Sequence, residues 1–244
     1  ELTDRECRVV LTDLRATPLR RVLHPVPGHD LSVDALLAIL QAAVAEVIQG
    51  VETAKIWGMG LTLPAVGDPS TGTVLLSVIL PWQNEALAEA LERRFPYPVA
   101  VFSRGSAATW GERWYGAGQH AQNMLYVRVG KGLVAGLVIN GQPYLGQGFG
   151  AGELGHMTVQ PDGALCRCGN RGCLATVATT DALLNRIRQL LREQPDNPLW
   201  GAVSYHLESL RLADVLDAGA AGNELALQGL HEIAAWLSIA LAAA

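Results

Sequence analysis

Apolar residues in the first hundred positions form short continuous runs on either side of one helical stripe. Residues 7–14 and 19–25 are two such runs joined by a short turn, which predicts two β-strands. Residues 32–49 repeat apolar side chains at helical spacing, and a further run at 54–63 predicts a buried strand. This order of strand, helix and strand indicates a βαβ unit. Six apolar side chains share one face of the predicted helix: Leu36, Leu37, Leu40, Ala43, Val44 and Val47.

The remaining two thirds of the chain continue the α/β pattern and then become helical. An amphipathic helix is predicted at 84–95, a strand at 98–102, and a β-hairpin or meander at 122–144. The glycine-containing turns of this hairpin are expected at 130–132 and 140–141. After residue 179 we expect only helices, at residues 180–193, 204–209, 212–218 and 223–244.

Composition narrows the class of protein. The chain has 244 residues, half of them apolar, and a formal net charge of −5. This suits one or two globular lobes and gives no sign of a nucleic-acid surface within these residues. We find no uninterrupted apolar run long enough for a membrane span and no signal peptide, so we expect no membrane contact. Clustered cysteines, taken as reduced, indicate a cytoplasmic protein. Cys7 lies in the first predicted strand and is interpreted as a simple strand thiol.

The strongest chemical signal is a cluster of zinc-type ligands. His156 is followed by Cys166, Cys168 and Cys173. Thiolate and imidazole are preferred ligands of Zn²⁺, and a Cys₃His set closes a tetrahedral structural site. Ordinary buried thiols or a disulfide pair are the alternatives, but nothing else in the chain resembles a secreted disulfide scaffold. Three glycines lie among the ligands and predict sharp turns with positive φ: Gly163, Gly169 and Gly172.

The same stretch carries a family resemblance. Its motifs GELGHMTV and CRCGNRGCL closely resemble those of the ROK family (repressors, open reading frames and sugar kinases). The resemblance implies an α/β chain with the actin-like ATPase (ribonuclease H-like) fold, in which two lobes flank a cleft. We place the N-terminal lobe at 1–102, incomplete at its start, and the C-terminal lobe at 103–244. The hinge is expected near 98–104 and the zinc loop at 156–173.

Catalysis in this family depends on a segment that differs here. ROK kinases carry Asn-Asp-Ala-Asn before a helix, and the Asp takes the proton from the sugar hydroxyl. Matching Glu112 fixes the register and puts Ser103 at the Asn position and Arg104 at the catalytic Asp position. Arginine stays protonated in proteins and cannot act as a base. No Asp or Asn occurs between residues 99 and 121, so a shifted register does not restore the base.

The sugar and phosphate contacts implied by the resemblance are partly retained. Glu153 and His156 match the family's sugar-binding Glu-x-Gly-His motif, whereas Ala175 replaces the Glu after the last cysteine. We therefore take Glu153, His156, Ser103 and Arg104 as the candidate effector-binding residues. The turn Gly130-Lys131-Gly132 stands where kinases carry a Gly-Thr-Gly turn for ATP phosphates. It is a phosphate-loop remnant or a plain hairpin turn.

Two functions follow from the resemblance. The first is the sugar-sensing domain of a ROK transcriptional regulator, inactive as a kinase, of the type that represses N-acetylglucosamine or xylose genes. The alternative is an ATP-dependent sugar kinase of the glucokinase, N-acetylmannosamine or N-acetylglucosamine kinase type. A third possibility is a regulator that has lost sugar sensing.

The expected partners are a sugar or sugar-derived effector, structural Zn²⁺, and further copies of the chain in a homodimer or homotetramer. DNA contact is expected only through a segment outside these residues. The family's Asp-x-Gly-Gly-Thr phosphate loop and a C-terminal strand are not found here, so the sequence is expected to be part of a longer protein.

Overall fold

The computed structural model divides the chain into two compact units. The first comprises Glu1–Tyr126 and Gly136–Gly152, and the second comprises Val127–Ala135 and Glu153–Ala244. The structure describes residues 1–3, 5–28, 30–77 and 79–243. The last residue of the helix predicted at 223–244 therefore lies outside the described residues.

Up to residue 115, the described part of the first unit contains a hairpin, a parallel strand pair, a small antiparallel sheet and three α-helices. Its elements are β1 (Glu6–Thr12), β2 (Pro18–Pro25), α1 (Val33–Val47), β3 (Met59–Leu63), β4 (Val66–Asp68), β5 (Thr73–Leu76), β6 (Gln83–Glu85), α2 (Leu87–Glu92), β7 (Val99–Ser103) and α3 (Arg104–Tyr115). Strands β1 and β2 pair antiparallel, β3 and β7 pair parallel, and β5 lies between β4 and β6.

The core of the first unit forms around α1. Ser32 caps this helix, because its hydroxyl accepts a hydrogen bond from the N–H of Ala35 at 3.2 Å. The six residues of the predicted apolar stripe are the buried residues of α1, which confirms the predicted face. Four of them, Leu36, Leu37, Leu40 and Val44, pack in one hydrophobic cluster with residues of β1, β3, β5 and β7. The buried Trp82 indole donates a hydrogen bond to the carbonyl of Leu31 at 2.8 Å, which satisfies its N–H.

Two boundaries in the first unit differ from the sequence prediction. The strand predicted at 54–63 begins only at Met59, after a 3-10 turn, and Trp57 is 75% exposed. The helix predicted at 84–95 begins at Leu87, because residues 83–85 pair with β5 instead. At residues 83–85 sheet pairing decided the conformation over local propensity, whereas the pairing of β3 with β7 begins only at Met59.

The next three strands are β8 (Met124–Val129), β9 (Leu133–Ile139) and β10 (Gln142–Tyr144), with β9 hydrogen-bonded to both neighbours. The predicted meander is therefore confirmed. The chain passes from one unit to the other within β8 and within β9, and β10 belongs to the first unit. The turn between β9 and β10 places Asn140 at φ 53° and Gly141 at φ 75°, and this pair of left-handed residues is typical of a tight hairpin turn.

The position of α3 is set by the strand before it. The helix follows β7 without a connecting loop and packs against β7 and β3 within the first unit. Gly136 of β9 lies close to this helix, since a Cβ there would come 2.0 Å from the hydroxyl of Thr109. The lobe boundary predicted between residues 102 and 103 remains a prediction, while the compact units keep α3 with β7.

The described part of the second unit is mainly helical after the cysteine-rich loop. Its helices are α4 (Leu174–Val177), α5 (Thr180–Glu193), α6 (Leu199–Ala202), α7 (Leu212–Ala220) and α8 (Glu224–Ala242). The helix predicted at 204–209 was wrong, because only a 3-10 turn forms at Leu207–Ser209. Ser204 and Tyr205 have positive φ values of 50° and 61°, which breaks the helical path there.

Helix α8 closes the second unit. Asn223 caps it through a hydrogen bond from the N–H of Ala226, and α8 packs against α4, α5 and α7. Gly229 allows close packing, since a Cβ there would lie 2.5 Å from Ile187 of α5. Among the described residues, α8 is the one helix that is long and apolar enough, by length and composition, to cross a membrane. Of its most apolar 18-residue stretch, 22% is buried. Leu241, near the end of α8, is 45% exposed.

Replacing Asp214 with alanine is expected to lower the free energy of unfolding by about 1 kcal/mol. Its carboxylate accepts the Arg211 guanidinium at 2.8 Å and the Arg211 backbone N–H at 2.8 Å, which caps α7. The hydrogen bond from the Arg211 guanidinium is the main cause that lowers the pKa of Asp214, and the bond from the backbone N–H adds to it. The stabilisation of the folded protein by Asp214 is therefore present at pH values above the ordinary carboxyl pKa. It is lost as the pH falls through the lowered pKa of the folded state.

Urea unfolding at neutral pH and in acid checks this prediction. Asp217→Ala is the matched control, because Asp217 is an exposed carboxylate in the same helix. An equal loss in both variants, or a loss in Asp214→Ala that persists in strong acid, would contradict the capping role.

Candidate metal centre

The cysteine-rich loop of the second unit is folded back on itself by backbone hydrogen bonds. The N–H groups of Val159 and Gln160 both donate to the carbonyl of Gly172, at 2.9 and 3.1 Å. The N–H of Gly172 donates to the carbonyl of Ala164 at 2.9 Å, and Thr158 forms a β-bridge with Cys173. The two arms of the loop are therefore paired, which brings residues distant in sequence to one point.

Glycine is required where these arms cross. Gly172 has a φ of 64°, and a Cβ there would lie 1.5 Å from the carbonyl oxygen of Gln160. Gly163 is also crowded, with Gln160 and Gly172 at 2.8 and 2.9 Å from its hypothetical Cβ, although its φ is not positive. Gly169 has a φ of 91° in open space. The predicted positive φ is thus confirmed at Gly169 and Gly172, and Gly163 instead avoids a steric clash.

The local backbone structure positions three of the four candidate ligands. His156 ends a 3-10 turn whose residues Leu154 and Gly155 are buried. The N–H of Cys166 donates to the carbonyl of Asn170 at 2.7 Å. Cys173 is fully buried and is the N-terminal flanking residue of α4.

The four predicted ligands lie together in space. The donor atoms of His156, Cys166, Cys168 and Cys173 are all within 4.8 Å of one another. The Cys168 and Cys173 sulfurs are 3.7 Å apart, and Nδ1 of His156 lies 3.7 Å from the Cys166 sulfur. Tetrahedral zinc with Zn–S bonds of about 2.3 Å puts two sulfurs about 3.8 Å apart. Donor types and spacing therefore both fit this ion.

All four cysteines are free thiols in the structure. The 3.7 Å between the Cys168 and Cys173 sulfurs is well beyond a disulfide bond, which is about 2.05 Å long. The disulfide alternative considered for the sequence is therefore not the arrangement that the structure contains.

The protonation of two cysteines is shifted in opposite directions. A hydrogen bond from the backbone of Asn170 is the main cause that lowers the pKa of the exposed Cys168 to about 7. Burial is the main cause that raises the pKa of Cys173 to about 12. A thiol must lose its proton to bind a metal, so metal binding at this cluster releases protons and weakens in acid.

The two ring nitrogens of His156 have different neighbours. Nδ1 faces the Cys166 sulfur, whereas Nε2 lies 3.7 Å from a carboxylate oxygen of Glu153. In metal sites, the ring nitrogen that is not a ligand usually meets such an acceptor, which fixes the ring orientation. The geometry thus gives Nδ1 to the cluster and leaves Nε2 with Glu153.

The residue that replaces the family's second carboxylate lies beside this motif. Ala175 belongs to α4, and its Cβ is 3.6 Å from the position that a Cβ on Gly155 would take. Position 175 therefore adjoins Gly155, which directly precedes His156 in the 3-10 turn that follows Glu153.

Ser103 and Arg104 lie in the first unit, at the junction of β7 and α3. The Ser103 hydroxyl accepts a hydrogen bond from the N–H of Ser106 at 3.0 Å and so caps the helix. Arg104 is the first residue of α3, where a positive charge opposes the helix dipole. The structure therefore holds Ser103 and Arg104 in one unit and Glu153 and His156 in the other.

The Gly130-Lys131-Gly132 turn connects β8 to β9 within the second unit. The N–H of Gly130 donates to the carbonyl of Gly132 at 3.1 Å, and the Gly130 carbonyl accepts from the N–H of Thr180 at 2.8 Å. Lys131 is exposed. The turn is thus fixed to the start of α5, and its role in phosphate binding stays a prediction.

One supporting residue was missed from the sequence. Asn170 accepts from the Cys166 N–H through its carbonyl and donates from its side chain to the Thr158 hydroxyl at 3.0 Å. It therefore joins the turn between the cysteines to the opposite arm of the loop. The available signal was an asparagine next to glycine in CGNRGC, which is typical of tight turns.

Comparison with known proteins defines the class. Structural neighbours include ROK sugar kinases and ROK regulators, which have the actin-like ATPase fold. A ROK family transcriptional regulator, described as a homolog of the E. coli MLC protein, superposes with a TM-score of 0.86 at 27% identity. The match covers 99% of this chain and 60% of that one. Residues 9–244 match the ROK family, and the chain belongs to this family.

Its relatives include both functional types. The xylose repressor of Caldicellulosiruptor bescii is 30% identical over 188 residues, covering 77% of this chain and 46% of the repressor. The glucokinase of Halalkalibacterium halodurans is 36% identical over 187 residues, covering 76% of this chain and 56% of the kinase. The chain thus spans about half the length of these curated relatives, and repressors and kinases are both represented.

Proposed function

We propose that this chain is the sugar-sensing, effector-binding domain of a ROK transcriptional regulator and does not phosphorylate sugars. The observation that carries the proposal is Arg104 at the start of α3, where the family's kinases have their catalytic Asp. A guanidinium remains protonated and cannot accept the proton of a sugar hydroxyl. The xylose repressor among the relatives supports the same reading.

The alternative is an ATP-dependent sugar kinase. The glucokinase relative and the Gly130-Lys131-Gly132 turn favour it. Against it, no carboxylate occurs between residues 99 and 121 except Glu112, which is eight residues after Arg104 within α3. A base at that distance along the helix does not replace the missing Asp at its start. The third possibility, a regulator without an effector, is addressed by the binding experiment below.

The proposal includes a structural zinc ion held by His156, Cys166, Cys168 and Cys173. The donor set and the sulfur spacing support this ion, which would cross-link the loop and the start of α4. The loop contains little apolar side-chain area, so metal binding rather than a hydrophobic core would hold its shape. Such a closed four-ligand site contributes stability and takes no part in chemistry on a sugar.

Further partners are proposed from the family. We place the protein in the cytoplasm as a homodimer or homotetramer, with DNA bound through a segment outside these residues. The repressor relatives support a sugar or sugar-derived effector. Glu153, His156, Ser103 and Arg104 are the proposed effector contacts.

An anionic sugar derivative is expected to bind at least roughly tenfold more tightly than the neutral sugar. Arg104 brings a permanent positive charge and a bidentate donor to a position where the family has a carboxylate, which favours a phosphate or carboxylate group. Calorimetry with glucose, glucose 6-phosphate and gluconate measures the preference.

Two variants assign that preference to one side chain. Arg104→Gln is expected to remove it, whereas the control Arg93→Gln is expected to keep it, because Arg93 is exposed on the surface and pairs with Glu89. Micromolar binding of glucose with no preference for its 6-phosphate would contradict the anionic effector. Binding of no sugar at all would favour a regulator without a sugar effector.

A further inference from the structure

The three cysteines of the metal cluster differ sharply in exposure. Cys173 is 0% exposed and Cys166 is 8% exposed, whereas Cys168 is exposed. Cys168 is therefore the one of these three residues that is open to an oxidant dissolved in water. Susceptibility of a cysteine to oxidation rises with its exposure, so attack at this cluster begins at Cys168.

The exposed sulfur has a buried partner within reach. The Cys168 and Cys173 sulfurs are 3.7 Å apart, and a disulfide requires about 2.05 Å, so one sulfur must move by about 1.6 Å. Cys173 is held by its bridge to Thr158 and by the start of α4. Cys168 is followed by the exposed Gly169, which has open space around it. The movement therefore falls on the Cys168 side.

We propose that Cys168 and Cys173 form a peroxide-sensitive switch, in which oxidation joins their sulfurs and dismantles the metal cluster. The inference rests on the zinc site proposed above and goes beyond it, because it gives the exposed ligand Cys168 a part in releasing the metal. After oxidation only His156 and Cys166, whose donor atoms are 3.7 Å apart, could still bind the zinc ion. Two ligands are fewer than the four of a structural zinc site.

The chemistry balances with a hydroperoxide as the named oxidant. The Cys168 thiolate attacks one peroxide oxygen, the O–O bond breaks, and an alcohol or water leaves as the sulfenic acid forms. The Cys173 thiolate then attacks the Cys168 sulfur, the S–S bond forms, and the hydroxyl group leaves as water. Two electrons pass from the two sulfurs to the peroxide, and a thiol reductant reverses the step.

The proposed disulfide would form next to the Glu153–His156 segment of the second unit. Cys173 directly precedes α4, and Ala175 of that helix lies beside Gly155 between the two retained sugar-motif residues Glu153 and His156. His156 is also a cluster member. Oxidation therefore changes the support of the effector motif itself, which couples redox state to sugar sensing.

The test uses the reduced, zinc-loaded full chain and hydrogen peroxide. Zinc release is followed with a chromogenic chelator, and the protein is then digested with trypsin without reduction. Cleavage after Lys131, Arg167, Arg171 and Arg186 puts the three cysteines on separate peptides. We expect peptide 168–171 linked to 172–186, formed in step with zinc release, and dithiothreitol should reverse both.

Two variants sharpen the result. Cys168→His keeps a four-ligand Cys₂His₂ set, and zinc release by peroxide is expected to be at least roughly tenfold slower. Cys7→Ser, which removes a buried cysteine outside the cluster, should release zinc at the original rate. If Cys168→His does not fold, the peptide mapping of the unaltered chain decides.

A link through the peptide that carries Cys166 would overturn the proposal, as would zinc release without the 168–171 link. So would an unchanged release rate in Cys168→His. Absence of zinc from the reduced protein would instead refute the metal site. In that case the peptide map still reports whether Cys168 and Cys173 join, so the two failures are distinguishable.

Discussion

No ATP-dependent phosphorylation of glucose, N-acetylglucosamine or N-acetylmannosamine is expected from the full-length protein. Phosphoryl transfer requires a nucleophile that is oriented and relieved of its proton. The proposed match puts Arg104 at the position of the family's base, and loss of a general base alone costs about 10²–10⁴-fold in rate. A coupled assay of ADP formation with each sugar, at saturating ATP, measures this.

The control separates loss of the base from loss of folding. Arg104→Asp restores the family's carboxylate at the first residue of α3, where a negative charge also suits the helix dipole. This variant should unfold at the same or a higher temperature than the original protein. Robust phosphorylation by the unaltered protein would refute the proposed function, whereas activity confined to Arg104→Asp would assign the loss to this single position.

Gly172→Ala is expected to abolish zinc binding and to destabilise the second unit by roughly 3 kcal/mol or more. A methyl group at this position would lie 1.5 Å from the carbonyl oxygen of Gln160, and the φ of 64° disfavours alanine independently. The backbone hydrogen bonds that Gly172 makes with Val159 and Ala164 would then be lost together. Zinc per chain and the thermal unfolding midpoint are the measurements.

Gly169→Ala is the matched control for the steric argument. Gly169 also has a positive φ, 91°, but no atom lies within 4 Å of its hypothetical Cβ. The Gly169→Ala variant should retain zinc, and its free energy of unfolding should fall by only about 1 kcal/mol because of backbone strain. Equal loss in both variants would show that the left-handed backbone, and not the crossing of the two arms, limits the loop. Far less than one zinc per chain in the reduced, unaltered protein would refute the metal site.

The sequence predicted helix faces, helix caps and tight turns well, because these features depend on residues close together in the chain. The buried face of α1 and its Ser32 cap follow from helical spacing and capping chemistry alone. The same is true of Asn223 before α8 and of the hairpin turn at Asn140. The spacing, the caps and the turn depend on residues within a few positions of each other, so they can be recognised without knowledge of distant contacts.

Elements that depend on a distant partner were predicted less well. The predicted helix begins at residue 84, yet Gln83 and Glu85 pair with Leu76 and Val74 of β5. Residues 54–58 are apolar enough for a strand, but Trp57 is exposed and pairing begins only at Met59. Strand formation requires a neighbouring strand in register, and that information is not local.

For the metal cluster, the sequence by itself determined the four candidate ligands, because thiolates and an imidazole at this spacing have a known chemical preference. It also determined that Arg104 cannot act as a base, since that property belongs to the side chain wherever it lies. The tertiary structure decided that Nδ1 of His156 faces the cluster while Nε2 faces Glu153. It also decided that Gly172 must lack a side chain and that Cys168 alone of the three clustered thiols is exposed. These properties arise from two arms of a loop packed on each other, and packing geometry is not encoded in residue type or spacing.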